Sequence, residues 1–164
     1  NNGPLRDGKQ SMYEGGMKVP TAISWPGKIK IGSVSDKVQI SMDLYPTLLE
    51  IAGLTPKNKI EGQSFYSELV KSNRSYEPDR SFYFTRREGG TKYGGQAIYA
   101  LRKGDWKLLQ NSPYEGYELY NLKEDPLEQK NRIDIDIEKY QELNTILMKH
   151  IQKGGEVPWQ KNSY

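Results

Sequence analysis

The sequence predicts an α/β (α+β) chain that ends in a small four-stranded antiparallel sheet packed with a C-terminal helix. Three observations point there. Residues 81 to 120 alternate with period two, residues 134 to 152 carry apolar side chains at helical spacing, and a helix ended by glycine stands near residue 43.

In chain order, residues 1–16 are glycine-rich and polar and read as a loop closing at Glu14-Gly15-Gly16, where two glycines permit positive φ and close backbone approach. Val19 to Trp25 mixes β-branched and apolar residues and stops at Pro26-Gly27, the pattern of a buried strand ended by a turn. Asp43 can cap a helix that tolerates Pro46 in its first turn, presents Leu44, Leu48, Leu49 and Ile51, and ends at Gly53. A shorter helix capped by Ser64 is expected to run to Val70, followed by a polar segment through Asp79. The chain therefore divides into residues 1–75 and residues 76–164.

In the second region Ser81 to Thr85, Ala97 to Arg102, Asp105 to Leu109 and Tyr117 to Tyr120 read as strands, with a tight turn at Lys103-Gly104. Ile137, Tyr140, Leu143, Ile146, Leu147 and Ile151 make Asp134 to Gln152 an amphipathic helix able to cover one sheet face, with Gly154-Gly155 ending it.

Composition narrows the function. Hydrophobic residues make up 35% of the chain, below the usual range of a self-sufficient domain, so the chain reads as a piece of something larger. Its first residues carry neither Met nor a signal-peptide pattern, which reads as an internal start. A net charge of +3 argues against a nucleic-acid partner. No segment is long or apolar enough for a membrane span. The absence of Cys excludes disulfides, zinc thiolate sites and a Cys-derived nucleophile within these residues.

Several distinct motifs follow one another along the chain. Gly3-Pro4-Leu5-Arg6-Asp7-Gly8-Lys9 is followed by Tyr13-Glu14-Gly15-Gly16, Val19-Pro20 and Trp25-Pro26-Gly27. Then come Asp43-Leu44-Tyr45-Pro46-Thr47-Leu48-Leu49, Glu61-Gly62-Gln63-Ser64 and Leu101-Arg102-Lys103-Gly104-Asp105-Trp106-Lys107-Leu108. Leu119-Tyr120-Asn121-Leu122 and Asp125-Pro126-Leu127-Glu128 complete the series. In this order they resemble the second signature region and C-terminal portion of the type I sulfatases, of the alkaline phosphatase superfamily.

The resemblance implies that residues 1–75 close a large α/β domain and residues 76–164 form the C-terminal subdomain. It implies hydrolysis of sulfate esters, with sulfated carbohydrates or aryl sulfates as substrates, and a periplasmic or secreted enzyme. The formylglycine nucleophile and the calcium ion of such enzymes are expected in a missing N-terminal region of the same protein. Ser24-Trp25-Pro26-Gly27-Lys28 only superficially resembles the nucleophile motif, and no metal ligands are assigned here. The fragment alone is expected to be inactive and to expose an apolar patch where residues 1–75 meet the missing sheet.

Lys9 falls at the family position that contacts the substrate sulfate, so it is the catalytic candidate. A fixed ammonium there stabilises the charge that develops on sulfate oxygens. Arg6 and Glu14 are expected to hold the loop through ion pairs or backbone hydrogen bonds. Arg86, Arg87, Lys92 and Tyr93 lie in a glycine-punctuated stretch that could bind carboxylates or further sulfates; Arg86, Arg87 and Tyr93 are the substrate-binding candidates. His150 reads as a surface or packing residue, and Asp134 and Asp136 as helix N-terminal charge. Two other functions fit the residues less well: a non-catalytic binding module for sulfated or acidic glycans, and hydrolysis of phosphate or phosphonate esters.

Overall fold

The computed structural model describes residues 2–71, 79–87, 90–91 and 93–154. Lys92 and the polar segment 72–78 lie outside the described residues. The chain divides into two compact units, Asn1–Val19 with Pro78–Tyr164, and Pro20–Glu77. Residues 1–19, grouped with the first region by sequence, pack instead within the sheet-bearing unit.

In the unit Pro20–Glu77, a 3-10 turn over Ser41–Asp43 runs into helix α2, Leu44–Ile51; helix α1, Glu14–Met17, belongs to the other unit. Because the helical turn starts earlier than expected, Asp43 makes no forward cap. Its carboxylate reaches back to accept the Ile40 N–H at 3.1 Å and sideways to accept the Gln63 N–H at 2.9 Å. The Thr47 hydroxyl donates to the Asp43 carbonyl at 2.6 Å and accepts the Phe65 N–H at 3.1 Å. Gly62 passes so close that a Cβ there would lie 2.1 Å from the Met42 carbonyl oxygen.

These contacts bury Pro46 and Thr47, whereas Leu44 and Leu48, the expected apolar face, remain 47% and 62% exposed. Gly53, at φ 69°, ends α2 as expected. Its N–H donates to Glu50 and the Leu54 N–H to Leu49, the paired bonds of a Schellman motif. Helix α3, Tyr66–Lys71, starts two residues past Ser64, whose hydroxyl accepts the Tyr66 N–H at 3.2 Å.

The strand expected over Val19 to Trp25 does not form. A strand needs a neighbour for its ladder, and no described segment pairs with these residues; Val19 is 74% exposed. The turn at Pro26-Gly27 is present, with Gly27 at φ 76°.

The other unit contains the sheet. Strands β1 (Ser81–Arg87), β2 (Ala97–Lys103), β3 (Trp106–Leu109) and β4 (Glu118–Asn121) pair in sequence order as an antiparallel meander. The β2–β3 turn is made by Gly104, at φ 58°, and Asp105, one residue later than the sequence suggested. Leu101, Leu108 and Leu119 stand side by side on one face. Helix α4, Ile137–Gly154, covers that face with Leu143 and Leu147, each 1% exposed. His150 stacks flat on Tyr83, ring centroids 3.6 Å apart, as a packing residue. Replacing Leu143 with alanine is expected to lower stability by about 2–5 kcal/mol, measurable as a reduced urea midpoint at unchanged slope.

The opposite sheet face is mixed. Ile98, Ala100 and Leu109 pack against Met12, Tyr13 and Tyr93, while Arg102, Lys107 and Tyr120 form one transverse row across β2, β3 and β4. The N-terminal loop covers this face.

Candidate functional site

The loop that carries Lys9 leaves the sheet face at Arg6 and returns at Glu14, where helix α1, Glu14–Met17, begins. Two glycines allow the return. The Gly15 N–H donates to the Arg6 carbonyl at 3.0 Å, and a Cβ on Gly15 would sit 2.2 Å from that same oxygen. A Cβ on Gly16 would sit 2.3 Å from the Ser11 carbonyl oxygen. Close backbone approach, not positive φ, is therefore what requires both glycines. Left-handed backbone occurs instead at Asp7, φ 61°, and Gln10, φ 83°, on either side of Lys9. Each such residue costs roughly 1 kcal/mol, and conformations of this kind are held by surrounding contacts. Lys9 is exposed, and among the described residues its ammonium has no carboxylate partner.

Beneath the loop lies a cluster of three cations and three carboxylates. Lys107, fully buried, donates to Glu14 Oε1 at 2.8 Å and lies 2.9 Å from Glu128 Oε1. The second contact is electrostatic rather than directional, since Glu128 Oε1 accepts no aligned hydrogen bond. Arg102 approaches Glu14 Oε2 at 3.7 Å. Arg6 donates to the Tyr120 hydroxyl at 2.8 Å and to the Glu128 carbonyl at 2.6 Å, and lies 3.6 Å from Glu118. Its guanidinium also stacks 3.8 Å above the Tyr13 ring. The Tyr13 hydroxyl donates to Glu118 Oε1 at 2.5 Å, and the Tyr120 hydroxyl donates to Glu118 Oε2.

Burial pushes the Tyr13 and Tyr120 hydroxyls well above their ordinary value, and the hydrogen bonds to Glu118 push the same way, so both remain donors. Burial also raises the Glu128 carboxyl, with Lys107 pulling it back. For the tyrosines the folded state holds protons that the unfolded chain releases from about pH 10, so stability is complete below that pH and falls as pH rises beyond it. With two such groups the limiting slope is about 2.7 kcal/mol per pH unit. Alkaline titration of the melting temperature is expected to show this fall, and replacing both residues with phenylalanine to flatten it.

Arg6 and Glu14 thus meet in one cluster, and Lys9 stands on the loop between them. Arg86 and Arg87 fall at the end of β1 rather than in a loop, and adjacent strand residues point to opposite faces. Arg86 lies 5.3 Å over the Tyr93 ring, and Arg87 Nε donates to the Gly95 carbonyl at 2.9 Å. Tyr93 is 4% exposed, so its ring is part of the core rather than of an open binding surface.

Sequence reasoning missed Lys107, Glu118, Tyr120 and Glu128 as members of this cluster. A signal was present: Arg102, Lys107, Glu118 and Tyr120 occupy alternate positions of strands and fall on one face once paired. Among the described residues, no three His, Asp or Glu side chains converge as a metal ion would need.

Residues 7–156 match the family described as N-sulphoglucosamine sulphohydrolase, C-terminal. A sulfatase of Formosa agariphila is 34% identical over 135 residues, 76% of this chain and 24% of that protein. Human N-acetylgalactosamine-6-sulfatase is 38% identical over 108 residues, 65% of this chain and 19% of that protein. Among solved structures, BT4656 in complex with its substrate D-glucosamine-2-N,6-O-disulfate superposes with a TM-score of 0.64 at 26% identity, covering 85% of this chain and 29% of that one. The chain thus spans about a quarter of the length of the relatives it matches. Its fold is that of the C-terminal part of an alkaline-phosphatase-like sulfatase. The order of motifs, the sheet with its covering helix and the matched residues lead to one assignment: this chain belongs to the type I sulfatases, as a C-terminal portion of the N-sulphoglucosamine sulphohydrolase kind.

Proposed function

We propose that the polypeptide containing this chain hydrolyses sulfate esters of carbohydrates, and that Lys9 contacts the sulfate group. The observation that carries the reading is the placement of Lys9: exposed between two left-handed residues, on a loop whose two ends are fixed in a buried charge cluster. When the ester S–O bond breaks, negative charge grows on the departing oxygen and on the nonbridging oxygens. An ammonium held in place donates to those oxygens and lowers the barrier more than it strengthens ground-state binding. Arg6 and Glu14 hold the loop and do not touch substrate. Arg86 and Arg87, with Tyr93 supporting Arg86, are proposed to meet carboxylates or further sulfates of the glycan.

A formylglycine nucleophile and a calcium ion are proposed to come from other parts of the polypeptide. These residues do not fit either group, having no Cys, only a Ser24–Lys28 segment in which Lys28 stands where a Ser-type nucleophile motif has Arg, and, among the described residues, no converging acidic or histidine ligands. Residues 1–75 are proposed to complete a large α/β domain and residues 76–164 to form its C-terminal subdomain. The exposed Leu44, Leu48 and Leu54 supply apolar surface for that larger domain. Export to the periplasm or outside the cell belongs to the same proposal. The sulfated substrate is proposed to be an amino sugar, supported by the names of the human relative and of the BT4656 complex.

The test is sulfate release by the full-length polypeptide from 4-nitrophenyl sulfate and from 6-O-sulfated N-acetylhexosamines, with and without a calcium chelator. Release that stops on chelation, and no release by residues 1–164 alone, is expected. Tight binding of these sugars by the full-length polypeptide without any release would favour the glycan-binding module instead.

A further inference from the structure

We propose that Glu128 is a positioning residue for Lys9, a clasp that closes the 6–14 loop at its base. The inference rests on the sulfate-contacting role proposed for Lys9. Glu128 engages the loop through two separate groups and the sheet through a third. Its backbone carbonyl accepts Arg6 Nη1 at 2.6 Å, its Oε2 accepts the Glu14 N–H at 2.6 Å, and its Oε1 lies 2.9 Å from the Lys107 ammonium. Arg6 and Glu14 are the two ends of the loop, so one side chain and its own carbonyl hold both ends. Without them, the ends are still linked by the Gly15 N–H to the Arg6 carbonyl and by the Arg6 guanidinium on the Tyr13 ring, neither of which fixes the Glu14 N–H.

Glu128 is itself fixed. It is fully buried, with φ 54°, in a turn tied to the end of β4 by the Asp125 N–H to the Asn121 carbonyl at 2.8 Å. The Asp125 carboxylate accepts the Gln129 and Lys130 N–H groups, each at 2.8 Å, and the Glu128 N–H donates to the Asp125 carbonyl at 3.2 Å. A rigid path therefore runs from the sheet through Glu128 to the loop that presents Lys9. Small displacements of a charge-stabilising group are costly to turnover, which gives the clasp a kinetic consequence separate from stability.

The experiment uses the full-length enzyme and 4-nitrophenyl sulfate, a substrate that reports on the sulfate-binding end alone. Glu128→Ala and Glu128→Asp are expected to lower kcat by about tenfold or more, with KM changed less. Glu128→Gln keeps the chain length and the acceptor for the Glu14 N–H, and is expected to restore kcat to within about threefold of the parent. Leu143→Ala, on the other sheet face, is the control for stability and is expected to leave kcat unchanged below its melting temperature. In a Lys9→Ala background, adding Glu128→Ala is expected to change kcat by less than about twofold, since the two residues act through one interaction.

Wild-type kcat in both Glu128→Ala and Glu128→Asp would overturn the proposal. So would an equal fold-loss from Glu128→Ala with and without Lys9, because Glu128 would then act elsewhere. Near-normal turnover of Lys9→Ala alone identifies the other failure: the role of Lys9 falls, and the clasp falls with it, whatever Glu128 does. If Glu128→Ala does not fold, Glu128→Asp and Glu128→Gln decide the question.

Discussion

Replacing Lys107 with methionine is expected to destabilise the protein by about 3–5 kcal/mol, because it leaves the Glu14 and Glu128 carboxylates buried without their shared cation. Methionine keeps most of the stem's packing, so the loss reports the charge rather than a cavity. Lys107 has no exposed surface and Glu128 has none either, which means that water cannot take over the neutralisation. Arg102 stands 3.7 Å from Glu14 and partly offsets the loss at that end, while Glu128 has no second cation of comparable closeness among the described residues. Adding Glu128→Gln to Lys107→Met removes one of the orphaned charges and is expected to recover more than half of the stability. Urea denaturation of the single and double variants measures both effects. A loss below about 1 kcal/mol for Lys107→Met would mean that the cluster is solvated, as exposed ion pairs are.

Lys9→Ala in the full-length enzyme is expected to lower kcat by about a hundred- to a thousandfold while the melting temperature moves little. The two effects separate because Lys9 is exposed and has no ion-pair partner among the described residues, so the fold does not depend on its charge. Lys9→Arg keeps the charge but replaces a compact ammonium with a planar fork, and is expected to recover only part of the turnover. Measuring kcat and KM for both variants on 4-nitrophenyl sulfate checks the assignment. Wild-type turnover in Lys9→Ala would remove Lys9 from the site.

Local patterns explain which parts of this structure were legible in the sequence. The four strands and the long helix were readable because alternation and helical spacing reflect burial against partners inside the same unit, as with Leu101, Leu108 and Leu119 under Leu143 and Leu147. Gly53 was readable because its left-handed φ is a local requirement. The segment Val19 to Trp25 failed for the opposite reason: its residues favour a strand, but a strand is a property of a pair. The apolar side of α2 failed similarly, since the contact that decided its orientation is the polar docking of Gln63 and Phe65 on Asp43 and Thr47.

The site divided along the same line. Lys9, Arg6 and Glu14 could be singled out because the motifs of their loop resemble the signature region of the sulfatase family. Lys107 carried only the strand alternation, which gains meaning once the register is known, and Glu128 carried no local signal, because it lies past β4 in a turn that tertiary contacts bring beneath that loop. Within the motifs Trp106-Lys107-Leu108 and Asp125-Pro126-Leu127-Glu128, Lys107 and Glu128 acquire a physical meaning as parts of the cluster that Glu14 joins. Arg86 and Arg87 looked like neighbours in one loop, yet the pleat of β1 separates them.

The long sequence interval across that cluster also sets an order of events during synthesis. The meander can form as it emerges, since each strand pairs with the one just made. The loop bearing Lys9 is translated before the sheet, and the carboxylate that receives the Glu14 N–H lies 114 residues later. At ordinary elongation rates the ribosome needs on the order of ten seconds to cover that interval. The nascent loop must therefore wait, unclasped, until the turn after β4 has left the ribosome, so this loop is made before the sheet that it covers and is completed only after it.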